Sequence, residues 1–341
     1  MKPIHGLFWV VFLMSMSSCV SYEKFSIEVY KPAELTVPAE MKKVVLVSRN
    51  LKYLNDTLQN YHVADSRLLK DKKVFNVDSL AITNCLDTLA GRLSKQNRFE
   101  HIGILPVGTL PRTREKEIRP AIPTWYKRVA EKTGADGLIL LDMFSCFYRQ
   151  NSSPSPSAWV ITSNIWSVYD AKAQKLIDRH SQVDTLLWDG TDEDGQGKKF
   201  RIPGKKDAIA LASGVIGANY SKHIIPAWAK VERQIMTDNN PDLKTAADLA
   251  KKNNWADASA IWNKYTGKGN KTLKVIALYN LALASEMNGD IDKALEMISL
   301  AAKESSGTFK SAQNDAVRRY AIVLYRRQND LNKLKLQNGP Q

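Results

Sequence analysis

Hydrophobic residues in the first two thirds of the chain follow two different patterns. Residues 44–47 form an apolar run, residues 138–144 form a longer one that contains a single aspartate, and residues 102–106 form a third that ends in a proline. Such runs are typical of sheet strands that are covered on both faces. Three other stretches repeat apolar side chains at helical spacing: residues 77–95, 124–133 and 205–220. The chain therefore alternates predicted strands with predicted helices.

Two later segments alternate apolar and polar residues with a period of two. Residues 158–169 carry Trp159, Ile161 and Ile165 in this pattern, and residues 174–188 continue it after a turn. This alternation around a turn predicts an antiparallel meander. The complete order is β-α-β-α-β-β-β-α, which predicts an α/β fold with a mixed sheet and flanking helices.

The predicted helix at 205–220 contains Gly214 and Gly217, three residues apart. Glycine lowers helix stability but lets another backbone approach closely, so we expect a tight helix contact there. Beyond Pro226, apolar residues recur at helical spacing and predict a second helix: Trp228, Val231 and Ile235.

From residue 240 onward the pattern is helical throughout. Residues 277–302 form a hairpin whose helices are separated by an Asn-Gly-Asp turn, and a similar hairpin begins at residue 240. Their matching positions are 36 residues apart, since 282 − 246 and 294 − 258 both give 36. A third helix is predicted at 312–327, before an apparent repeat start at 328–330. Four arginines suit the polar outer face of a terminal capping helix: Arg318, Arg319, Arg326 and Arg327.

This layout resembles the tetratricopeptide repeat, whose period is about 34 residues. The packing positions of that repeat fall on Ala246, Ala258, Trp262, Leu281, Ala282, Ala294, Ile298 and Ala301. Ser285 departs from the pattern, because the family usually has an aromatic residue there. The resemblance implies an all-α domain whose groove binds a protein or peptide. Since about three repeats are needed to bury a stable core, we expect the two repeats to pack against the preceding domain.

The amino terminus combines one lysine, an apolar run at 7–14, several serines and then Cys19. The run is too short to span a bilayer as a helix. Small residues directly before a cysteine resemble a bacterial lipoprotein box, although Met16 replaces its usual leucine. The resemblance implies cleavage before Cys19 and acylation of that residue. We expect an outer-membrane lipid anchor that faces the periplasm, because residues 20–24 lack an acidic run that would direct surface export. Ordinary secretion with an unrelated cysteine is the alternative.

The whole chain resembles a family of uncharacterised lipoproteins of Gram-negative bacteria that end in tetratricopeptide repeats. The stretch at residues 223–228 is its most suggestive part. The element order also resembles the small α/β domain of envelope assembly lipoproteins. The predicted organisation is a signal peptide at 1–18, a tether at 19–40, an α/β domain at 41–237, and repeats with a capping helix at 238–341.

The amino-acid composition indicates a basic surface and provides few cysteines for redox chemistry. The 341 residues carry a formal net charge of +14, with basic and acidic residues mixed along the chain. The simplest interpretation is a basic soluble surface, and attraction to anionic lipid headgroups or envelope polymers is the second. Nucleic-acid binding comes third, because nucleic-acid-binding proteins usually cluster their basic residues. Cys85 and Cys146 are expected to be buried free thiols, although an extracytoplasmic location would permit a disulfide.

Candidate chemistry is sparse. Each of the four histidines outside the signal segment is expected to be a surface or hydrogen-bonded residue, and no metal site or cofactor is predicted: His62, His101, His180 and His223. The acidic stretch 189–195 fails the calcium-loop spacing and reads as a hairpin tip. Asp142 interrupts an apolar strand, where it could be a catalytic acid or could pair with Arg149 or a turn amide.

The leading hypothesis is a membrane-anchored, non-enzymatic scaffold in the cell envelope. Its expected partners are membrane lipid, through acylated Cys19, and an unknown protein or peptide on the repeats; nucleic acid is not expected. Two alternatives stay open. One is an envelope enzyme whose active site is assembled from distant residues. The other is a subunit that forms a homo-oligomer in secretion or assembly.

Overall fold

The structure is a computed structural model that describes residues 20–56, 60–71, 77–152, 155–190, 201–267, 269–306 and 311–338. The chain divides into two compact units. The sheet unit comprises Lys31–Ala227 and Leu334–Gln341, and the helical unit comprises Met1–Tyr30 and Trp228–Lys333. Cys19 and the predicted signal peptide lie outside the described residues.

Within the described residues, the sheet unit contains one eight-stranded mixed sheet. Its strands are β2 (Lys43–Tyr53), β3 (Tyr61–Ala64), β4 (Arg67–Lys70), β5 (His101–Ile104), β6 (Thr113–Glu115), β7 (Gly137–Asn151), β8 (Ser157–Asp170) and β9 (Lys175–Asp189). Strand β7 is central, because it pairs in parallel with β2 and β3 and antiparallel with β8. Strands β5 and β6 add to β2 in parallel, while β4 forms a hairpin with β3. Strand β9 pairs antiparallel with β8.

Helices cover both faces of this sheet. On one face, α1 (Val77–Ser94) and α3 (Lys205–Ile224) enclose a core with Leu46 and Ile139. On the other face, α2 (Pro123–Thr133) packs Tyr126 against Leu138 and Leu140. Successive residues of β7 therefore point into different cores, which explains why residues 138–144 are apolar apart from Asp142.

The mixed α/β prediction is confirmed, and the eight predicted elements correspond to β2, α1, β5, α2, β7, β8, β9 and α3. Three short strands of this sheet were not predicted: β3, β4 and β6. Each has three or four residues, so none is long enough to show a hydrophobic period. Their pairing depends on longer neighbours.

Gly217 is the point at which α1 and α3 approach most tightly. A Cβ atom built on Gly217 would lie 2.1 Å from the carbonyl oxygen of Cys85, well inside van der Waals contact. At Gly214 the nearest atom is the Thr88 hydroxyl, at 3.3 Å. The expected close helix contact is therefore present, and it is made at Gly217, where only a missing side chain fits.

The helical unit contains five helices within the described residues. They are α4 (Pro241–Lys251), α5 (Trp255–Asn263), α6 (Lys271–Met287), α7 (Ile291–Ser305) and the beginning of α8 (Ser311–Asn338). The first four each start at a residue whose side chain caps free backbone N–H groups: Asn240, Asn254, Asn270 and Asp290. None of the described helices has the length and apolarity needed to cross a bilayer.

The predicted helix at 228–235 is wrong, because this stretch belongs to strand β10 (Ala227–Thr237). Its burial changes with a period of two, and Trp228, Lys230 and Glu232 are all on the exposed side. Val231 and Ile235 lie on the less exposed side, opposite Trp228, so the three- and four-residue spacing that suggested a helical stripe does not describe one face of this strand. Strand β10 pairs with β1 (Ser21–Lys31), which occupies much of the predicted tether at 19–40.

The predicted repeat start at 328–330 is also wrong, since α8 runs through these residues without a break. The Gln328 amide donates a 2.8 Å hydrogen bond to the Asp292 carboxylate of α7. Asn and Asp favour helix starts because they can cap, but inside a helix their side chains can also face solvent or a neighbour. The residues thus resemble a repeat start in composition only.

Replacing Gly217 with Ala is expected to destabilise the protein by about 1–3 kcal/mol, because the new methyl group would overlap the Cys85 carbonyl and force the helices apart. The free energy of unfolding in urea measures this. Gly91→Ala is the matched control, since Gly91 lies in α1 with open space around it. It should be neutral or stabilising. Equal stability of the two variants would contradict the packing argument.

Candidate functional site

The eight residues at the predicted repeat-packing positions all lie in one core of the helical unit. They are Ala246, Ala258, Trp262, Leu281, Ala282, Ala294, Ile298 and Ala301. Ser285, which departs from the repeat pattern, is also buried, and its hydroxyl donates to the Leu281 carbonyl. These side chains are therefore enclosed and cannot contact a ligand themselves. A binding surface on this unit must be formed by outward-facing residues.

Buried polar contacts hold β10 against the helices of this unit. The Asn280 side chain on α6 accepts from the Met236 backbone N–H at 2.9 Å and donates to its carbonyl at 2.7 Å. Arg233 donates to both carboxylate oxygens of Glu286, at 2.9 and 2.6 Å. The Tyr320 hydroxyl of α8 donates to the same carboxylate at 2.8 Å. These contacts fix the strand, α6 and α8 as one scaffold.

The outward face of α8 combines exposed apolar and basic side chains. Ile322 and Tyr325 are 51% and 54% exposed, which is high for residues of this kind. Arg318 and Arg326 are exposed one turn before Ile322 and next to Tyr325, respectively. We call these four residues the α8 face. Of the predicted cap arginines, Arg327 instead turns inward and donates to the Tyr30 carbonyl.

Asp142 lies at the centre of a buried charge network in the sheet unit. Its carboxylate accepts from Arg49 at 3.1 Å, from Arg179 at 3.0 Å and from the Ser167 hydroxyl at 2.6 Å. Both arginines also donate to backbone carbonyls before α2, those of Arg119 and Ile118. Asp142 therefore ties this loop to the sheet.

The proposed pairing of Asp142 with Arg149 is wrong. The Arg149 guanidinium lies over the Trp159 ring, 5.3 Å from its centroid. Asp142 is completely buried, and each of its oxygens accepts at least one hydrogen bond. A buried carboxylate whose oxygens are already hydrogen-bonded holds neighbouring segments together. This geometry therefore favours a structural role for Asp142 over a catalytic one.

A second buried ion cluster lies next to Cys146. The Lys52 ammonium is 2.8 Å from the Asp78 carboxylate and 3.8 Å from that of Asp56. The Ser145 hydroxyl donates to Asp56 at 2.7 Å. Burial, followed by the charge of Asp78, raises the pKa of the Cys146 thiol to about 12. Burial also raises the pKa of the Cys85 thiol, and both cysteines are free and buried as expected from the sequence.

His223 forms a polar cluster with residues from two other segments. Its Nδ1 is 2.7 Å from the Glu34 carboxylate, and its Nε2 is 2.9 Å from the Asp178 carboxylate. The His180 ring lies beside it, with ring centroids 4.3 Å apart. Hydrogen bonds to Asp178 and Glu34 raise the pKa of His223, with burial acting against them. We call Glu34, Asp178, His180 and His223 the histidine cluster.

Sequence reasoning missed the histidine cluster, because its two imidazoles are 43 residues apart (223 − 180). One signal was present: Asp178 and His180 are two residues apart on a predicted strand and therefore share a face. The other two histidines lie elsewhere. His62 contacts Asp71 at 2.7 Å, and His101 is exposed at the start of β5. The acidic stretch 189–195 lies largely outside the described residues.

Replacing Asp142 with Asn is expected to lower the free energy of unfolding by about 3–5 kcal/mol, because two poorly exposed arginines would lose their counter-charge. Thermal and urea unfolding measure the loss. Glu117→Gln is the control, since its pair with Arg119 is exposed to solvent and should contribute about 1 kcal/mol or less. A loss at Asp142 no larger than at Glu117 would refute the structural role.

Comparison with solved structures finds distant similarity. Protein XCC0632 from Xanthomonas campestris, assigned to family model DUF330, is 10% identical, with a TM-score of 0.29; the match covers 57% of this chain and 91% of that one. The PelC dodecamer from Paraburkholderia phytofirmans is 10% identical, with a TM-score of 0.26 and coverages of 59% and 99%. Lipoprotein GNA1162 from Neisseria meningitidis is 12% identical, with a TM-score of 0.23 and coverages of 52% and 98%.

Sequence comparison places the chain in a family. No curated protein matches it. The family model described as domain of unknown function DUF6340 matches residues 244–326, within the helical region. The model described as domain of unknown function DUF8603 matches residues 41–235. Because this match spans more than half of the 341 residues, the chain belongs to the DUF8603 family.

Proposed function

We propose that the protein is a lipid-anchored, non-enzymatic scaffold of the bacterial cell envelope. In this proposal the tetratricopeptide-like helical unit binds a protein partner, and acylated Cys19 holds the chain at the outer membrane on its periplasmic side. The apolar run before Cys19 supports the anchor. The α8 face is the observation that carries the binding role.

The α8 face has the composition of a protein-binding surface. Exposed aromatic and aliphatic side chains beside arginine are typical of interface centres, where burial supplies affinity and arginine supplies directed hydrogen bonds. The chemistry of Ile322 and Tyr325 suits a partner with apolar side chains. Arg318 and Arg326 suit acidic residues flanking them. A segment that alternates acidic and apolar residues is therefore the expected ligand.

The buried contacts behind the α8 face support its use as a rigid platform. Val317, Tyr320 and Leu324 fill the core from the opposite side of the helix. The hydrogen bond from Tyr320 to Glu286 adds a fixed polar contact. A helix held in this way loses little conformational entropy on binding, so more of the contact energy appears as affinity.

A photoreactive phenylalanine analogue at position 325 is expected to crosslink to one envelope protein in cells. Arg326→Glu in the same chain should reduce that adduct, because it would repel an acidic partner. The same analogue at exposed Lys244, on α4, is the control position. An adduct that forms equally at both positions, or one that Arg326→Glu leaves unchanged, would contradict binding at the α8 face.

Replacing Cys19 with Ala is expected to move the protein from the membrane fraction to the soluble or unprocessed pool. Acyl chains contribute about 0.8 kcal/mol per buried methylene, and this contribution would be lost. Immunoblots of separated membrane fractions measure the shift. Cys146→Ala, which removes a buried thiol, should leave fractionation unchanged. Normal membrane retention of Cys19→Ala would remove the anchor from the proposal.

A further inference from the structure

We propose that Glu34, His180 and His223 form a binding site for a divalent ion of the zinc class. One ligand atom from each of these residues lies within 4.8 Å of the others. The site belongs to the sheet unit and is separate from the α8 face. It therefore goes beyond the scaffold function and does not depend on it.

The fold brings three distant segments to this point. His180 lies on β9, on the same face as Asp178. His223 lies in the last turn of α3, where helix carbonyls favour a positive charge. Glu34 lies after β1, and the neighbouring Leu35 N–H donates to the His223 carbonyl at 2.8 Å. This backbone contact fixes the Glu34 segment beside the imidazole.

The two nitrogens of His223 have different partners, and this division suits metal binding. Nδ1 faces the Glu34 carboxylate at 2.7 Å, so an ion would sit between these groups and His180. Nε2 faces Asp178 at 2.9 Å. A carboxylate on the second ring nitrogen orients a metal-binding histidine and makes it a better ligand. Asp178 therefore acts as a positioning residue in this site.

Packing restricts the orientation of both imidazoles. The Tyr220 ring lies 5.5 Å from that of His223 and 6.2 Å from that of His180, measured between centroids. Tyr220 itself stacks on Trp166 at 4.1 Å, and both rings are buried. Both imidazoles therefore pack against the ring of Tyr220, which is itself held by Trp166. A ligand set held by packing requires less ordering when the ion binds.

The donor set selects the class of ion. Two imidazoles and one carboxylate suit zinc and related transition metals, whereas calcium and magnesium prefer oxygen ligands. Zinc bonds of about 2.0–2.1 Å in a tetrahedral site place neighbouring ligand atoms about 3.3 Å apart. The Glu34 carboxylate, which is 2.7 Å from Nδ1 of His223, must therefore shift to admit the ion. The Glu34 side chain is 75% exposed and can shift without disturbing the core. Three protein ligands leave a fourth position for water or for another ligand.

The test is a calorimetric titration of the full chain in mild detergent, without an affinity tag and after treatment with a chelator. Zinc is expected to bind with a stoichiometry of one. His180→Gln, His223→Gln and Glu34→Gln should each abolish that binding event. Asp178→Asn should weaken it by about 10–100-fold, as loss of an orienting carboxylate does at other zinc sites. Magnesium at the same concentration should give no such event.

His101→Gln is the matched control, because His101 is exposed on β5 and lies outside the cluster. It should bind zinc as the unmodified chain does. Cobalt added in place of zinc should give a visible absorption spectrum with nitrogen and oxygen ligation, absent from His180→Gln. Circular dichroism establishes that each variant is folded, and Glu34→Gln, altered at an exposed side chain, remains informative if a histidine variant unfolds.

Three results would overturn the site: no stoichiometric zinc binding by the unmodified chain, binding that survives both histidine substitutions, or equal loss in His101→Gln. In the first case the cluster is a hydrogen-bonded charge contact between His223 and its two carboxylates. A failed crosslink at position 325 would leave this inference untouched, since the two experiments probe different units.

Discussion

The coverage of β7 on both faces is the constraint on which the sheet unit depends. Its residues alternate between the core beneath α1 and α3 and the core beneath α2. A strand of this kind cannot face water on either side, so helices must occupy both. The tight contact at Gly217 follows, because α1 and α3 share one face of the sheet. The meander from β7 through β8 then places β9 and its inward-facing residues beside α3.

The same constraint explains why a carboxylate is tolerated within β7. Asp142 interrupts the apolar run and would be very costly to bury alone. Arg49 on β2 and Arg179 on β9 supply the opposite charge, while Ser167 donates a further hydrogen bond. Each arginine then reaches the loop before α2. The polar interruption thus orders a connection that apolar packing alone would not fix.

The limits of sequence reasoning follow from what each signal measures. The run at 138–144 was informative because its length and apolarity describe burial directly. The stretch after Pro226 was misleading because Trp228, Val231 and Ile235 are spaced by three and four residues, as on a helix, although on β10 Trp228 lies on the opposite face from the other two. The segment 328–330 has capping composition, but a cap also requires the helix to end there. Local composition could not distinguish a helix from a strand after Pro226, nor show whether a helix ends at residues 328–330.

The histidine cluster shows a different limit. Asp178 and His180 could be assigned to one strand face from the sequence, but the position of His223 depends on how α3 crosses the sheet. The position of Glu34 depends on a backbone hydrogen bond between its neighbour Leu35 and α3. These are tertiary relations, and no local pattern encodes them. The apolar core positions of the helical unit were easier to name, because their three- and four-residue spacing along a helix is a local signal.

An ion at the histidine cluster would join segments that are far apart in sequence. It would link residues near 34 to β9 and to the end of α3, closing a loop that includes most of the sheet unit. Because the unfolded chain does not preserve this arrangement, an ion that binds only the folded state stabilises it by about 1.4 kcal/mol for each tenfold excess of free ion over its dissociation constant. The cluster would then couple metal supply to the stability of the sheet unit.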